Sequence, residues 1–193
     1  MDNDKIKELV SRSQNKDREA FAELFDLYYD KVLNYVFRRT LDVDYSKDIT
    51  SNVFLKVLKN LDKFEWRSGP FSFTAWIFRI AINEINQYFR SQNKYKSGLT
   101  FDLGDDNKAA EEMEKKMDND QYLMILNKAI RRLKPVYQEI INLRYFEDLS
   151  YEEISEVLKK NESTVRVYSK RAREDLEKIL KQDAFKFLEK YDF

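Results

Sequence analysis

A chain of 193 residues that is 42% hydrophobic and 36% charged can bury a core but sits at the upper end of what one compact domain holds, so one or two small domains follow. Its 3 glycines and 2 prolines are too few turn-formers for a sheet of many tight hairpins. Cys 0 and His 0 together exclude disulfides, thiolate nucleophiles, imidazole bases and the usual zinc ligand sets, while 35 Lys+Arg against 35 Asp+Glu leave no net charge to favour a partner.

How the charge is distributed is more informative. Residues 66–97 carry the bases Arg67, Arg79, Arg90, Lys94 and Lys96 against the single acid Glu84. Residues 101–120 carry eight acids against the bases Lys108, Lys115 and Lys116, and residues 163–173 carry Arg166, Lys170, Arg171 and Arg173 with no acid. Two basic segments are thus separated by an acidic one. The first residues, Met1 to Lys5, lack the charged-then-apolar pattern of a signal peptide, and the longest apolar run is five residues, 122–126. The expectation is a soluble cytoplasmic protein without membrane insertion.

Taken in chain order, Phe21, Leu24, Phe25, Tyr28, Val32, Tyr35 and Val36 have the spacing of a long amphipathic helix. Ile49, Val53, Val57 and Leu61 predict a second, capped by Asp44 or Ser46. Residues 64–72 contain Gly69-Pro70, which breaks any helix, and more aromatics than a solvated loop usually holds. A third helix is expected over 73–90. Residues 91–120 are polar and acidic and read as a flexible linker. Helical spacing returns in 122–133, 136–146, 151–158 and 162–180, with a capping box at Ser150/Glu153 and Asn161 as the last N-cap. The fold class is therefore all-α: a helical domain over 1–90, the linker 91–120, and a second helical domain over 121–193 that includes a C-terminal tail.

Two segments have the chemistry to meet nucleic acid. Eight aromatics fall between positions 64 and 89, and on the third helix Arg79, Asn83, Asn86, Gln87 and Arg90 lie opposite an apolar face. Guanidinium and amide groups pair with base edges and phosphates, and exposed rings are platforms for unstacked bases. An amphipathic helix with a merely solvated polar side has the same pattern. The second segment is the short helix 151–158, a three-residue turn and the base-rich helix after it, which together have the outline of a helix-turn-helix. There Arg166, Lys170 and Arg173 share one face, while Val165, Tyr168, Ala172, Leu176 and Ile179 point into the domain. Helix pairs of this kind also occur without any DNA role.

The runs at 48–57 (DITSNVFLKV), 73–83 (FTAWIFRIAIN) and 143–154 (LRYFEDLSYEEI), with Arg171-Ala172-Arg173, together resemble the sigma-70 family of bacterial RNA polymerase sigma factors. The closest resemblance is to its small two-domain extracytoplasmic-function (ECF) group, and it covers residues 21–180. It implies a transcription initiation factor that binds core RNA polymerase, directs it to promoter DNA and assists opening, with a sigma region 2-like first domain and a region 4-like second. By position, Asp48, Ser51, Asn52, Phe54, Leu55 and Lys56 are implied as the polymerase contact. Phe64, Trp66 and Arg67 are implied to trap a flipped minus-10 base, and Arg79, Asn83, Asn86, Gln87 and Arg90 to contact the adjoining duplex. Ser163, Thr164, Arg166, Val167, Lys170, Arg171 and Arg173 are implied as the minus-35 reader. An anti-sigma factor is a further partner that the resemblance allows.

The chain departs from the family pattern at three places. Ser51-Asn52 stand where Gln and an acid are usual, Lys159-Lys160 where Gly and an apolar residue are usual, and Ser169 where an apolar core residue is usual. With Tyr168 one position earlier, a rotated recognition helix is expected. No carboxylate spacing selects a catalytic pair, so neither an enzyme nor a cofactor, metal or small-molecule substrate is expected. The alternatives are a helix-turn-helix regulator acting without polymerase and a sigma-like interaction protein.

Overall fold

The computed structural model describes residues 3–40, 42–66, 72–96 and 121–191, with side chains described for 4–40, 42–66, 72–91 and 125–183. Every regular element among these is helical. The chain divides into two compact units, Met1–Met113 and Glu114–Phe193.

The first unit contains α1 (Asn3–Gln14), α2 (Arg18–Thr40), α3 (Val43–Asn60), a 3₁₀ turn (Leu61–Lys63) and α4 (Phe73–Lys96). The helix α1 was not expected from spacing, because Ile6, Leu9 and Val10 are its only buried apolar residues among many charges. It stops where Lys16 turns to a positive φ of 68°, and Asp17 then caps α2 by accepting from Ala20 N–H at 3.1 Å and Glu19 N–H at 3.0 Å. Those bonds, the Ala20 one foremost, together with Arg12 hold the Asp17 carboxyl below the usual carboxylate range. The cap of α3 is Asp42, not Asp44 or Ser46. Asp42 accepts from Tyr45 N–H at 2.9 Å, while Ser46 is buried beneath it. The helix α4 continues past the expected end at Arg90 to Lys96, and the rest of the expected linker, 97–120, lies outside the described residues. The core is aromatic: Tyr35 meets Phe78 edge-on at 5.1 Å, and Tyr28 packs on Phe73 at 5.4 Å while its hydroxyl bonds Thr74 at 2.7 Å.

The second unit contains α5 (Gln121–Arg131), α6 (Pro135–Ile141), a π-helical turn (Asn142–Phe146), α7 (Tyr151–Leu158) and α8 (Glu162–Tyr191). Pro135 opens α6, where its missing N–H costs nothing. The helix expected over 136–146 ends in the π turn, where Glu147 N–H reaches Asn142 O at 3.2 Å and Leu149 N–H reaches Leu143 O at 3.0 Å, and the buried Asn142 amide donates to Gln138 O at 2.9 Å. The Ser150/Glu153 capping box is formed at 3.1 and 2.8 Å, and Asn161 stands at the N-cap position of α8. Ile130, Leu133, Tyr137, Ile141 and Ala172 form the core between α5, α6 and α8.

Candidate nucleic-acid interfaces

In the first unit, α4 and the end of α3 enclose a cleft of about 460 Å³. Asn83, Asn86, Gln87 and Arg90 line it, joined by Trp76 of α4 and by Lys56, Asn60 and Lys63 from the facing side. Asn60 and Lys63 were not singled out from sequence, and Trp76 only as one of the eight aromatics of this segment. They become neighbours of the α4 amides only through the packing of α3 on α4. Arg79 is half-buried and not part of this lining.

One acid lies among these bases. Glu84 is 8% exposed and its carboxylate pairs with Lys56 Nζ across α3 and α4. Lys56, implied as a polymerase contact, thus lies in the cleft and not beside Leu55. Its stem leaves α3 toward α4, where the buried carboxylate needs a cation.

The aromatic loop requires a correction. Phe64 is 4% exposed, wedged against Phe73, Trp76 and Trp66 at ring distances of 5.5, 5.0 and 5.2 Å. A ring enclosed on three sides cannot receive a base, so Phe64 is the support. Trp66 is half-exposed, with Lys7 Nζ 5.6 Å from its centre. Arg67 lies outside the described residues. Gln14 fixes the loop by donating to Leu61 O at 2.9 Å and Phe64 O at 2.7 Å.

On α3, Asp48, Ser51, Asn52 and Leu55 are exposed and share one face. Phe54 does not belong with them. It is 6% exposed and its ring sits 4.6 Å from Phe25, because successive residues of a helix point about 100° apart. Leu58, 54% exposed and three residues after Leu55, extends that face. The i, i+3 leucine spacing was the signal for it.

In the second unit, Val165, Ser169 and Ala172 are fully buried at i, i+4, i+7, and Ser163, Arg166, Val167, Lys170, Arg171 and Arg173 are exposed; Thr164 is half-buried. The expected rotation of this helix is absent. Ser169 itself fills the core position and shares a hydrogen bond of 3.2 Å with the Tyr151 hydroxyl, while Tyr168 leans on Tyr137 at 5.7 Å. The turn also forms without glycine. Lys159 adopts the left-handed conformation (φ 52°, ψ 48°), and its N–H and that of Lys160 both reach Ser155 O.

Tyr151 also has a role that sequence did not indicate. The guanidinium carbons of Arg144 and Arg166 lie 4.9 and 4.8 Å from its ring centre. Arg166 is held further by Glu162, to which its Nε donates at 2.7 Å. Among the described residues there is no group of three His, Cys, Asp or Glu placed to hold a metal ion, and no helix is long and apolar enough to cross a membrane.

Residues 24–95 match the family described as Sigma-70 region 2, and residues 123–176 match Sigma-70, region 4. The chain is 31% identical over 183 residues to the ECF RNA polymerase sigma factor BldN of Streptomyces coelicolor, an alignment covering 95% of this chain and 69% of that one. It is also 31% identical over 164 residues to the RNA polymerase sigma factor YlaC of Bacillus subtilis, covering 84% of this chain and 93% of that one. Among solved structures, CnrH in complex with the cytosolic domain of CnrY superposes with a TM-score of 0.70 at 21% identity, covering 94% and 99% of the two chains. The sigma factor RpoE of Bartonella quintana, in complex with the anti-sigma factor NepR, gives 0.67 at 21% identity, covering 83% and 96%. These two show the fold. With both units matched in order and relatives above 30% identity aligned over most of their length, the chain belongs to the extracytoplasmic-function group of sigma-70 family RNA polymerase sigma factors.

Proposed function

We propose that this sigma factor divides its work among three surfaces. The α3 face of Asp48, Ser51, Asn52, Leu55 and Leu58 binds core RNA polymerase. The α3–α4 cleft, with Trp66 at its loop, holds the minus-10 element, and the exposed face of α8 reads the minus-35 element. Residues 91–120 join the two DNA-binding domains.

The observation that carries this proposal is the cleft: Asn83, Asn86, Gln87 and Arg90 converge with Trp76, Lys56 and Lys63 on one concave surface. A merely solvated helix face has no reason to concentrate amides and cations against a second helix. Chemically the site binds and deforms DNA; it makes and breaks no covalent bond. Extruding a base costs a few kcal/mol, and stacking it on an aromatic ring returns about 1–3 kcal/mol. Phosphate contacts by the surrounding cations supply the remainder. A factor acting on polymerase and promoter works in the cytoplasm, and the exposed leucines of α3 are a surface that an anti-sigma factor would have to cover.

Run-off transcription with added core polymerase tests the proposal. Promoter-specific transcripts that require this chain support it. Sequence-specific binding to DNA with no effect on polymerase would identify a free-standing regulator, and no binding to either would identify an interaction protein.

A further inference from the structure

We infer that Val167 is a specificity-determining residue of the minus-35 reader, recognising the C5 methyl group of a thymine in the major groove. The inference rests on the proposed reading of α8. Val167 is 47% exposed, opposite the buried line of Val165, Ser169 and Ala172. A lone exposed valine would mean little. Its surroundings give it meaning: of the cations beside it, Arg166 and Lys170 are drawn away along the helix, and Arg171, one turn after it, is itself exposed. Arg166 Nε donates to Glu162 Oε1 at 2.7 Å toward the N-terminus, and Lys170 Nζ lies 3.9 Å from Glu174 Oε1 toward the C-terminus. Ser163, one turn before Val167, is too small to cover it.

The result is a pair of γ-methyls about half exposed in the middle of a cationic face, on a β-branched side chain with little rotamer freedom in a helix. A valine also contributes less to an exposed helix position than Lys or Glu would, so helix propensity does not account for it. Cations on either side bring a phosphate backbone to this face by charge complementarity, and the apolar group that a DNA major groove then presents is the thymine methyl.

The test uses holoenzyme assembled from core polymerase and the full chain, with duplexes it enriches from a pool randomised across the minus-35 element. Each enriched thymine is replaced singly by deoxyuridine, which removes only the methyl. Burial of one methyl corresponds to about fourfold in affinity, so one position should lose about that factor with the parent holoenzyme. Val167→Ala should lose a similar factor on the parent duplex and no longer distinguish thymine from deoxyuridine, with its melting curve and salt dependence unchanged. Val167→Thr, keeping one γ-methyl, should retain part of the response. The inference is overturned if the enriched elements lack thymine, if no thymine responds to deoxyuridine, or if Val167→Ala responds as the parent does. Absence of any minus-35 preference would instead remove the assignment of α8 as reader, and this inference with it.

Discussion

Phe54 and Leu55 are neighbours in sequence, and their substitutions should fail in opposite ways. Phe54 is 6% exposed, with Phe25 and Tyr29 at ring distances of 4.6 and 6.1 Å, whereas Leu55 is 52% exposed. Phe54→Ala removes a packed ring from the junction of α2 and α3, at a cost of about 3–5 kcal/mol. In a unit of this size each kcal/mol moves the midpoint by about 4–8 °C, so even the lower bound lowers Tm by about 12 °C. Leu55→Asp leaves the core intact and should cost within about 0.5 kcal/mol from exposure and helix propensity together. Its effect falls on the complex. Burial of a leucine contributes about 1.5–3 kcal/mol, and a carboxylate in its place adds a desolvation penalty, so affinity for core polymerase should drop by at least about thirtyfold. Far-ultraviolet circular dichroism melts and co-elution with core polymerase read the two effects separately. The assignment fails if Leu55→Asp unfolds the protein, or if Phe54→Ala melts like the parent while losing polymerase.

Trp66→Ala should spare binding to duplex promoter and reduce permanganate reactivity of unpaired thymines, since a stacking platform contributes only once bases leave the helix; normal reactivity would leave the ring with a packing role alone. Lys159→Gly should raise the stability of the second unit by about 0.5–1 kcal/mol, the left-handed cost of about 1–2 kcal/mol less the added chain entropy of glycine; a lower urea midpoint would refute this. In filter-binding assays across salt concentrations, Lys170→Ala and Arg173→Ala should weaken all promoters alike and reduce the salt slope by about one each. Arg166→Ala should cost about 1–3 kcal/mol at one base pair, and uniform weakening there would make it a phosphate contact too. The Asp17 carboxyl titrates below its ordinary value when folded, so its contribution is present above that ordinary value and is lost as pH falls through the lower one. Thermal melts of the parent and of Asp17→Asn should therefore converge toward acid and diverge toward neutral pH.

The parts of this protein legible in the sequence were those set by helical period and local capping. The all-α fold and the capping box at Ser150 follow from spacing alone. The family resemblance misplaced Phe64, because position in an aromatic loop does not say which ring supports and which is offered. It placed Phe54 on the wrong face because position in a motif was followed where period should have been: Ile49, Val53 and Val57 already marked the inward stripe, and Phe54 lies beside it. Ser169 is the converse case. A polar residue in a core position predicted a rotated helix, yet the Tyr151 hydroxyl, eighteen positions away, satisfies it. Contacts between helices, such as Lys56 with Glu84 or Arg166 with Tyr151, leave no local trace in the sequence.

The ion pairs at the two interfaces differ in a way that bears on salt dependence. On α8, Arg166 with Glu162 and Lys170 with Glu174 are exposed i, i+4 pairs, worth at most about 0.5 kcal/mol each. DNA competes with a glutamate for the cation of such a pair, so Lys170 can turn to a phosphate and Arg166 to a base edge as DNA arrives. Glu84 is different, because its carboxylate is almost enclosed and taking Lys56 from it would leave a charge unpaired in the protein. Lys56 therefore stays with Glu84 and shapes the cleft wall as a neutral pair, leaving Lys63 and Arg90 as the cations lining the cleft that can meet phosphate. The salt sensitivity of promoter binding should accordingly come more from α8 than from the minus-10 cleft, where amides and rings do most of the work. Glu84→Gln would release Lys56 and steepen the salt slope by about one, and an unchanged slope would mean that Lys56 already meets phosphate in the parent.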